Sequence, residues 1–243
     1  MNRLTLLYGM FFSMAYLMVG NAWGQADTEI GDFWFKLHVN KKLDEHWTLG
    51  TDLQLRRQDR FIQQDENIFR LPSVYSVRFW VYRKIGKRWT IIYSPGAFFQ
   101  NYQLRPSGQL TEMHELRTMA GASHALELGR FTLRNRLLYE YRWIDFDQEV
   151  FRHQHRLRLQ NALLYQLAKW EGKNRLDLLF FNEFFFATPD YRTFGFDQNR
   201  DFLGLKGQHS VLEWTLGYQY TRQRQGEANI NRHSMLAGIQ LNF

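Results

Sequence analysis

Arginines and carboxylates interleaved with apolar side chains are the residues of this chain best placed to do chemistry. Between Phe131 and Trp143, the residues Phe131, Leu133, Leu137, Tyr139, Tyr141 and Trp143 hold odd positions. Thr132, Arg134, Arg136, Glu140 and Arg142 fall between them, with Leu138 the one apolar intruder. After a polar break at Ile144 to Val150 the odd phase resumes with Leu157, Leu159, Leu163, Tyr165 and Leu167, against Arg152, Gln154, Arg156, Arg158, Gln160 and Gln166. Strand side chains point alternately to opposite faces, so the stretch predicts two strands with one apolar and one arginine-rich face. Extended along the chain, the polar phase selects Arg56, Arg78, Arg117, Arg134, Arg136, Arg142, Arg152, Arg156, Arg158 and Arg175, with Asp52, Glu115, Glu140, Asp177, Glu183 and Glu213. These are the candidate lumen-lining residues. Enclosed charges must be paired, so they can form a salt-bridged, hydrated plug. Rings of Arg or Lys also select anions, so they can instead form a constriction with an anion preference.

Other chemistry has weaker support. A nucleophile and its base must share a strand face within hydrogen-bond reach, and lipid-modifying barrel enzymes use a His-x-Ser spacing for this. The chain has adjacent pairs instead, Ser123-His124, His209-Ser210 and His233-Ser234, whose side chains diverge in a regular strand. No catalytic residue is assigned. His153 and His155 share a face at a spacing that can bind a metal, but no carboxylate is tied to them, and an interfacial pair is the plainer reading. Neither a metal nor a cofactor is expected.

The elements that must position these residues are strands throughout. Phe33 to Asn40 opens the series, and Val211 to Arg222 is its cleanest member, with Leu212, Trp214, Leu216, Tyr218 and Tyr220 against Glu213, Thr215, Gly217, Gln219 and Thr221. Pro95-Gly96 inside a strand predicts a bulge or a sheet edge. Tight turns fall near residues 44, 86, 129, 171 and 208, and longer polar connections near 63, 107, 147, 193 and 228. This alternation matches a transmembrane barrel with short periplasmic turns and longer outer loops. The fold class expected is therefore all-β, a single antiparallel up-and-down transmembrane barrel of 10–12 strands. Twelve is favoured, because bacterial barrels have even counts and Gln25 to Asp32 can supply a short first strand.

A barrel also fits the composition. The chain has 243 residues, 17% of them aromatic, a net charge of +7 and no cysteine. Its mean hydropathy is −0.49. A barrel strand meets lipid with every second residue only, so low hydropathy does not argue against a membrane. Residues 1–26 read as a signal peptide, with Arg3, an apolar stretch from Leu4 to Val19 and cleavage after Gly24 or Ala26. Residues 27–243 then form the barrel, in the outer membrane of a Gram-negative-type envelope. Without cysteine there is no lipidation site and no disulfide. The basic residues are spread singly through strands, which argues for a lined interior and against nucleic acid as a partner. Outer-membrane lipids, lipopolysaccharide, the outer-membrane assembly machinery and small anionic solutes are the expected partners.

The chain ends Gly238-Ile239-Gln240-Leu241-Asn242-Phe243. Gly238, Leu241 and the terminal aromatic Phe243 resemble the signal by which assembly machinery recognises its substrates, and Leu236 departs from the polar residue usual at its place. The chain also resembles the bacterial family catalogued as domain of unknown function 2490. The likeness rests on the strand around Trp34, the Lys42 to Arg56 hairpin with Trp47, and Asp197-Gln198-Asn199-Arg200 before Leu203-Gly204-Leu205. It implies an outer-membrane barrel and carries no active site. The expected role is a small porin-like or structural envelope protein. A lipid-modifying enzyme of deacylase or phospholipase type, or a surface-loop adhesin, is the alternative.

Overall fold

The computed structural model describes residues 28–59, 67–104, 110–146, 150–172, 174–188, 195–225 and 228–243. Residues 1–26, read above as a signal peptide, lie outside them. Eleven strands follow one another: β1 (Thr28–Lys42), β2 (Trp47–Gln58), β3 (Leu71–Ile85), β4 (Trp89–Leu104), β5 (Leu110–Leu128), β6 (Phe131–Phe146), β7 (Val150–Lys169), β8 (Arg175–Ala187), β9 (Gly195–His209), β10 (Leu212–Gln225) and β11 (Ala228–Asn242). Each pairs antiparallel with the next, and β1 pairs with β11 to close the barrel.

The count corrects the twelve strands favoured by the sequence. Thr28 to Asp32 do not form a separate element, because they run without a break into Phe33 as the first third of β1. Asp32 is already held on both sides, opposite Gln58 of β2 and Ser234 of β11. No residue there turns the chain. With an odd number of up-and-down strands, the first and last point the same way, so the seam is parallel, from Thr28↔Ile230 to Asn40↔Asn242. At its end Phe243 donates its N–H to the Asn40 carbonyl at 2.9 Å, and its own carbonyl accepts from Lys42 N–H at 2.8 Å. The terminal aromatic thus sits on the closing seam. Gly238 lies in the inward phase, whereas Leu241 lies in the outward one.

Loop lengths also differ from expectation. The connections at 59–70 and 188–194 are long, but those at 147–149 and 226–227 join strands that pair almost to their tips, Phe146↔Val150 and Gln225↔Ala228. Polar side chains do not by themselves stop a ladder, so residues 144–146 of the polar break belong to β6 and Val150 to β7. At Ser94–Ala97 the register with both neighbours shifts, as Pro95-Gly96 predicts. Gly86, Gly129 and Gly172 turn the tight connections with positive φ. In the β1–β2 turn, the His46 and Trp47 N–H groups donate to Asp44 Oδ1 at 2.7 and 2.8 Å, which holds that carboxyl below its usual range.

Alternation settles the two faces. Leu137, Tyr139, Leu203, Leu216, Tyr218 and Met235 are exposed on the outer wall, while Asp32, Glu140 and Ser234 inside have no exposed surface. The interior is not uniformly polar, however. Trp80, Ile92, Phe99, Met119 and Leu138 form one buried apolar cluster, and Trp34, Phe202 and Leu236 form another. Leu138 is therefore an inward contact of the first cluster. Gly204 of β9 faces Gly217 of β10, and the Phe202 ring lies over both. A Cβ on Gly204 would stand 2.4 Å from the Leu216 carbonyl oxygen and 2.6 Å from the Phe202 ring. Gly204→Ala should therefore destabilise the barrel by about 1–3 kcal/mol, the usual cost of overpacking. Urea unfolding in micelles would read this as a lower midpoint, and an unchanged midpoint would contradict the packing described.

Candidate functional site

Inward alternation turns most of the selected charges into the barrel. On β6–β8 they form a continuous ion-paired band. Glu140 accepts from Arg156 Nε at 2.7 Å and Arg158 Nη1 at 2.6 Å. Glu183 accepts from Arg158 Nη2 at 2.8 Å and Arg136 Nη2 at 3.0 Å. Glu115 accepts from Arg117 Nε at 2.6 Å and from Arg142, which also donates to Gln154. Adjacent strands place these groups within reach because inward residues directly opposite one another, such as Glu140↔Arg156, share a face.

Elsewhere the pairs are smaller. Arg78 and the Trp80 indole N–H both donate to Asp52, at 2.6 and 2.8 Å. Arg175 lies 3.0 Å from Asp177, and Glu213 lies 2.5 Å from Lys206. Arg56 donates to the fully buried Asp32 at 2.7 Å, and Arg232 approaches the same carboxylate at 3.9 Å. Arg134 has no carboxylate within 4 Å among the described residues, and Arg152 is exposed near the β6–β7 tip. Sequence reasoning missed Asp32, Lys36, Arg200, Lys206 and Arg232. They lie on β1, β9 and β11, which lack the dense arginine alternation of β6 and β7. The available signal was phase: Lys36 keeps step with Trp34, and Arg200 with Phe202.

These side chains leave a cavity of about 1340 Å³. It is lined along β1 from Ile30 to Lys42, so it follows that strand nearly end to end. Among the described residues its lining carries fourteen basic side chains and four acidic ones, Asp52, Glu115, Glu183 and Glu213. The wall is thus electropositive even where individual pairs are satisfied.

His124, His153, His155 and His233 lie on the outer wall instead, whereas His38 lines the cavity 3.6 Å from Asp52. His155 meets the Tyr139 hydroxyl, His153 Nδ1 is 3.1 Å from the Tyr141 hydroxyl, and His233 Nδ1 is 2.5 Å from that of Tyr218. His153 and His155 therefore stand among Tyr139, Tyr141 and Trp143, as an interfacial pair would. His233 also contacts Glu29 at 2.6 Å. Its neighbour Ser234 is buried inside, so that His–Ser pair diverges. His124 likewise packs on Trp89 outside, while Ser123 is opposite Arg136 inside. Asn135, Asn161, Asn182 and Asp201 stand directly opposite one another on the outer phase of β6–β9, and Asn182 donates to Asp201 at 2.7 Å. The sequence reading, which took that face as apolar, did not anticipate this polar row.

Removing one member of the inner band should be costly. A charge left buried without its partner loses about 3–5 kcal/mol, less where water reaches it. Glu140→Gln should therefore lower unfolding stability by about 1–3 kcal/mol, and Glu140→Gln combined with Arg156→Gln should lower it by less than the two single changes summed. Additive losses in denaturant unfolding would contradict a coupled band.

Residues 31–232 match a family described as Protein of unknown function (DUF2490). No curated protein matches the chain. Among solved structures, the beta domain of the Bordetella autotransporter BrkA is similar at 8% identity and a TM-score of 0.49, over 77% of this chain and 79% of that one. LpxR from Salmonella typhimurium is similar at 6% identity and a TM-score of 0.47, over 80% of this chain and 83% of that one.

Proposed function

The chain belongs to the DUF2490 family, and we propose that this member spans the bacterial outer membrane as a small porin-like barrel whose arginine-lined interior prefers anions. The observation that carries the membrane reading is the outer wall. Apolar side chains there remain open to the surroundings on strand after strand, as with Leu53, Ile91, Leu137, Leu203 and Leu216. A soluble monomer rarely exposes a contiguous apolar surface of that extent, whereas acyl chains match it. Strands of 12 to 20 residues exceed the roughly 9–11 that cross a bilayer when tilted. The signal-like leader and the Gly238, Leu241 and Phe243 ending support export and assembly into the outer membrane. Outer-membrane lipids and lipopolysaccharide are then the partners of the wall.

The basic surplus around a cavity that follows β1 supports an anion-preferring passage. The ion-paired band on β6–β8 supports a second reading, a structural envelope protein with a closed centre. Planar-bilayer recording separates the two. The passage reading predicts small conductance steps whose reversal potential in a salt gradient reports anions, and Arg134→Glu should move that potential towards zero. A correctly folded barrel with no conductance at any voltage would leave the structural reading, and cation preference would contradict the electrostatic argument.

A further inference from the structure

We infer that the lumen holds a binding site for an organic carboxylate with an apolar body, formed by Lys36 and Arg200 beside the rings of Trp34, Phe181 and Phe202. The site rests on the reading of an anion-preferring interior and names what that interior would hold. Most inward acids are already taken: Asp32 by Arg56, Asp52 by Arg78, and Glu140 and Glu183 by the arginines of β6 and β7. Lys36 and Arg200, like Arg134, stand outside these pairs. Neither has a carboxylate within 4 Å among the described residues. Lys36 Nζ stands 3.9 Å from the centre of the Trp34 ring, and the Arg200 guanidinium stands 5.2 Å from the same ring and 4.5 Å from Phe185. The Gln198 amide oxygen accepts from Arg200 Nη2 at 2.7 Å and from its Nε. Arg56 also lies 5.0 Å from this ring but is held by Asp32, so the two cations without a carboxylate that converge on the indole come from β1 and β9. The stretches that hold them, around Trp34 and around Arg200, lie far apart in sequence.

Aromatic faces support a cation but do not neutralise it, so the pair keeps a positive field directed at an anion. Beside it lies an apolar floor. Trp34, Phe202 and Leu236 are packed with Leu179 and Phe181, and the Phe181 and Phe202 rings stack 4.9 Å apart at 12°. The Trp34 indole N–H donates to Gln54 at 3.1 Å, which fixes the ring. Chloride or phosphate would gain nothing from this floor. A carboxylate pairs with the Arg200 guanidinium, and an attached ring or alkyl body rests on Phe181, whose ring backs onto the buried Phe202.

Fluorine NMR of 4-(trifluoromethyl)benzoate with the full chain in lipid nanodiscs tests the site. Saturable binding is expected, weakened about tenfold by Lys36→Gln and by Arg200→Gln, the scale of one lost charged hydrogen bond. The neutral 4-(trifluoromethyl)benzamide should bind at least about tenfold more weakly, and inorganic phosphate should compete only at correspondingly higher concentration. Heat-modifiable gel migration checks that each variant is folded, and the acid–amide comparison stands even where one variant is not. The site is overturned by absence of saturable binding, by equal affinity in folded variants, by an amide that binds as well as the acid, or by phosphate competing at equal concentration. Conductance without benzoate binding removes the site and leaves the passage; binding without conductance keeps the site and removes the passage.

Discussion

Closure of the backbone hydrogen-bond ring is the constraint on which the rest of this structure depends. Every strand has a paired neighbour on both sides, and the last pairing is made by β11 returning to β1. An open edge would leave a row of N–H and C=O groups unpaired, at a cost of several kcal/mol each in an apolar surrounding. Once the ring is closed, each strand can present a full apolar face outward without exposing main-chain polarity. The parallel seam is the geometric consequence of closing eleven strands. Its register is anchored at one end by the Phe243–Asn40 and Lys42–Phe243 bonds and at the other by Asp32, which Arg56 holds from the neighbouring strand.

Period-two alternation then sorts every side chain, and here the sequence was most legible. The phase that separates Leu137 and Tyr139 from Arg136 and Glu140 is the phase that separates outer wall from lumen, and the Pro95-Gly96 bulge falls where its chemistry requires. Parity was not legible. Alternation says which way a side chain points, but not whether Thr28–Asp32 begins a strand or continues one. Only the pairing of Asp32 with both Gln58 and Ser234 decides that. Loop lengths were misread for a related reason. The residues at 144–146 belong to β6, whose ladder with β7 runs on to Phe146↔Val150.

The interior was legible only in part. Dense alternation of arginine on β6 and β7 made their band easy to see, while isolated inward charges such as Asp32, Lys36 and Arg232 gave a weaker signal. The apolar clusters inside were hidden altogether. A Leu138 or a Phe202 at an inward position reads as an interruption of the pattern until the fold shows Met119 against the one and Gly204 and Gly217 beneath the other. These clusters narrow the lumen and give its walls two characters, cationic and aromatic. That combination explains why so many arginines can sit inside without filling the centre: guanidinium groups lie along rings, as Arg117 does 3.6 Å from the Phe99 centroid, and along neighbouring carboxylates.

The absence of cysteine makes the central claim directly measurable. Single cysteines placed in turn from residue 134 to 141 of β6, spin-labelled in liposomes, would report contact with dissolved oxygen and with a water-soluble nickel chelate. An oxygen signal is expected at Leu137, Tyr139 and Tyr141, with chelate access at 134 and 136 and neither probe reaching the buried position 140. Equal chelate access at odd and even positions, or a chain that stays monomeric in buffer without lipid or detergent, would contradict that claim.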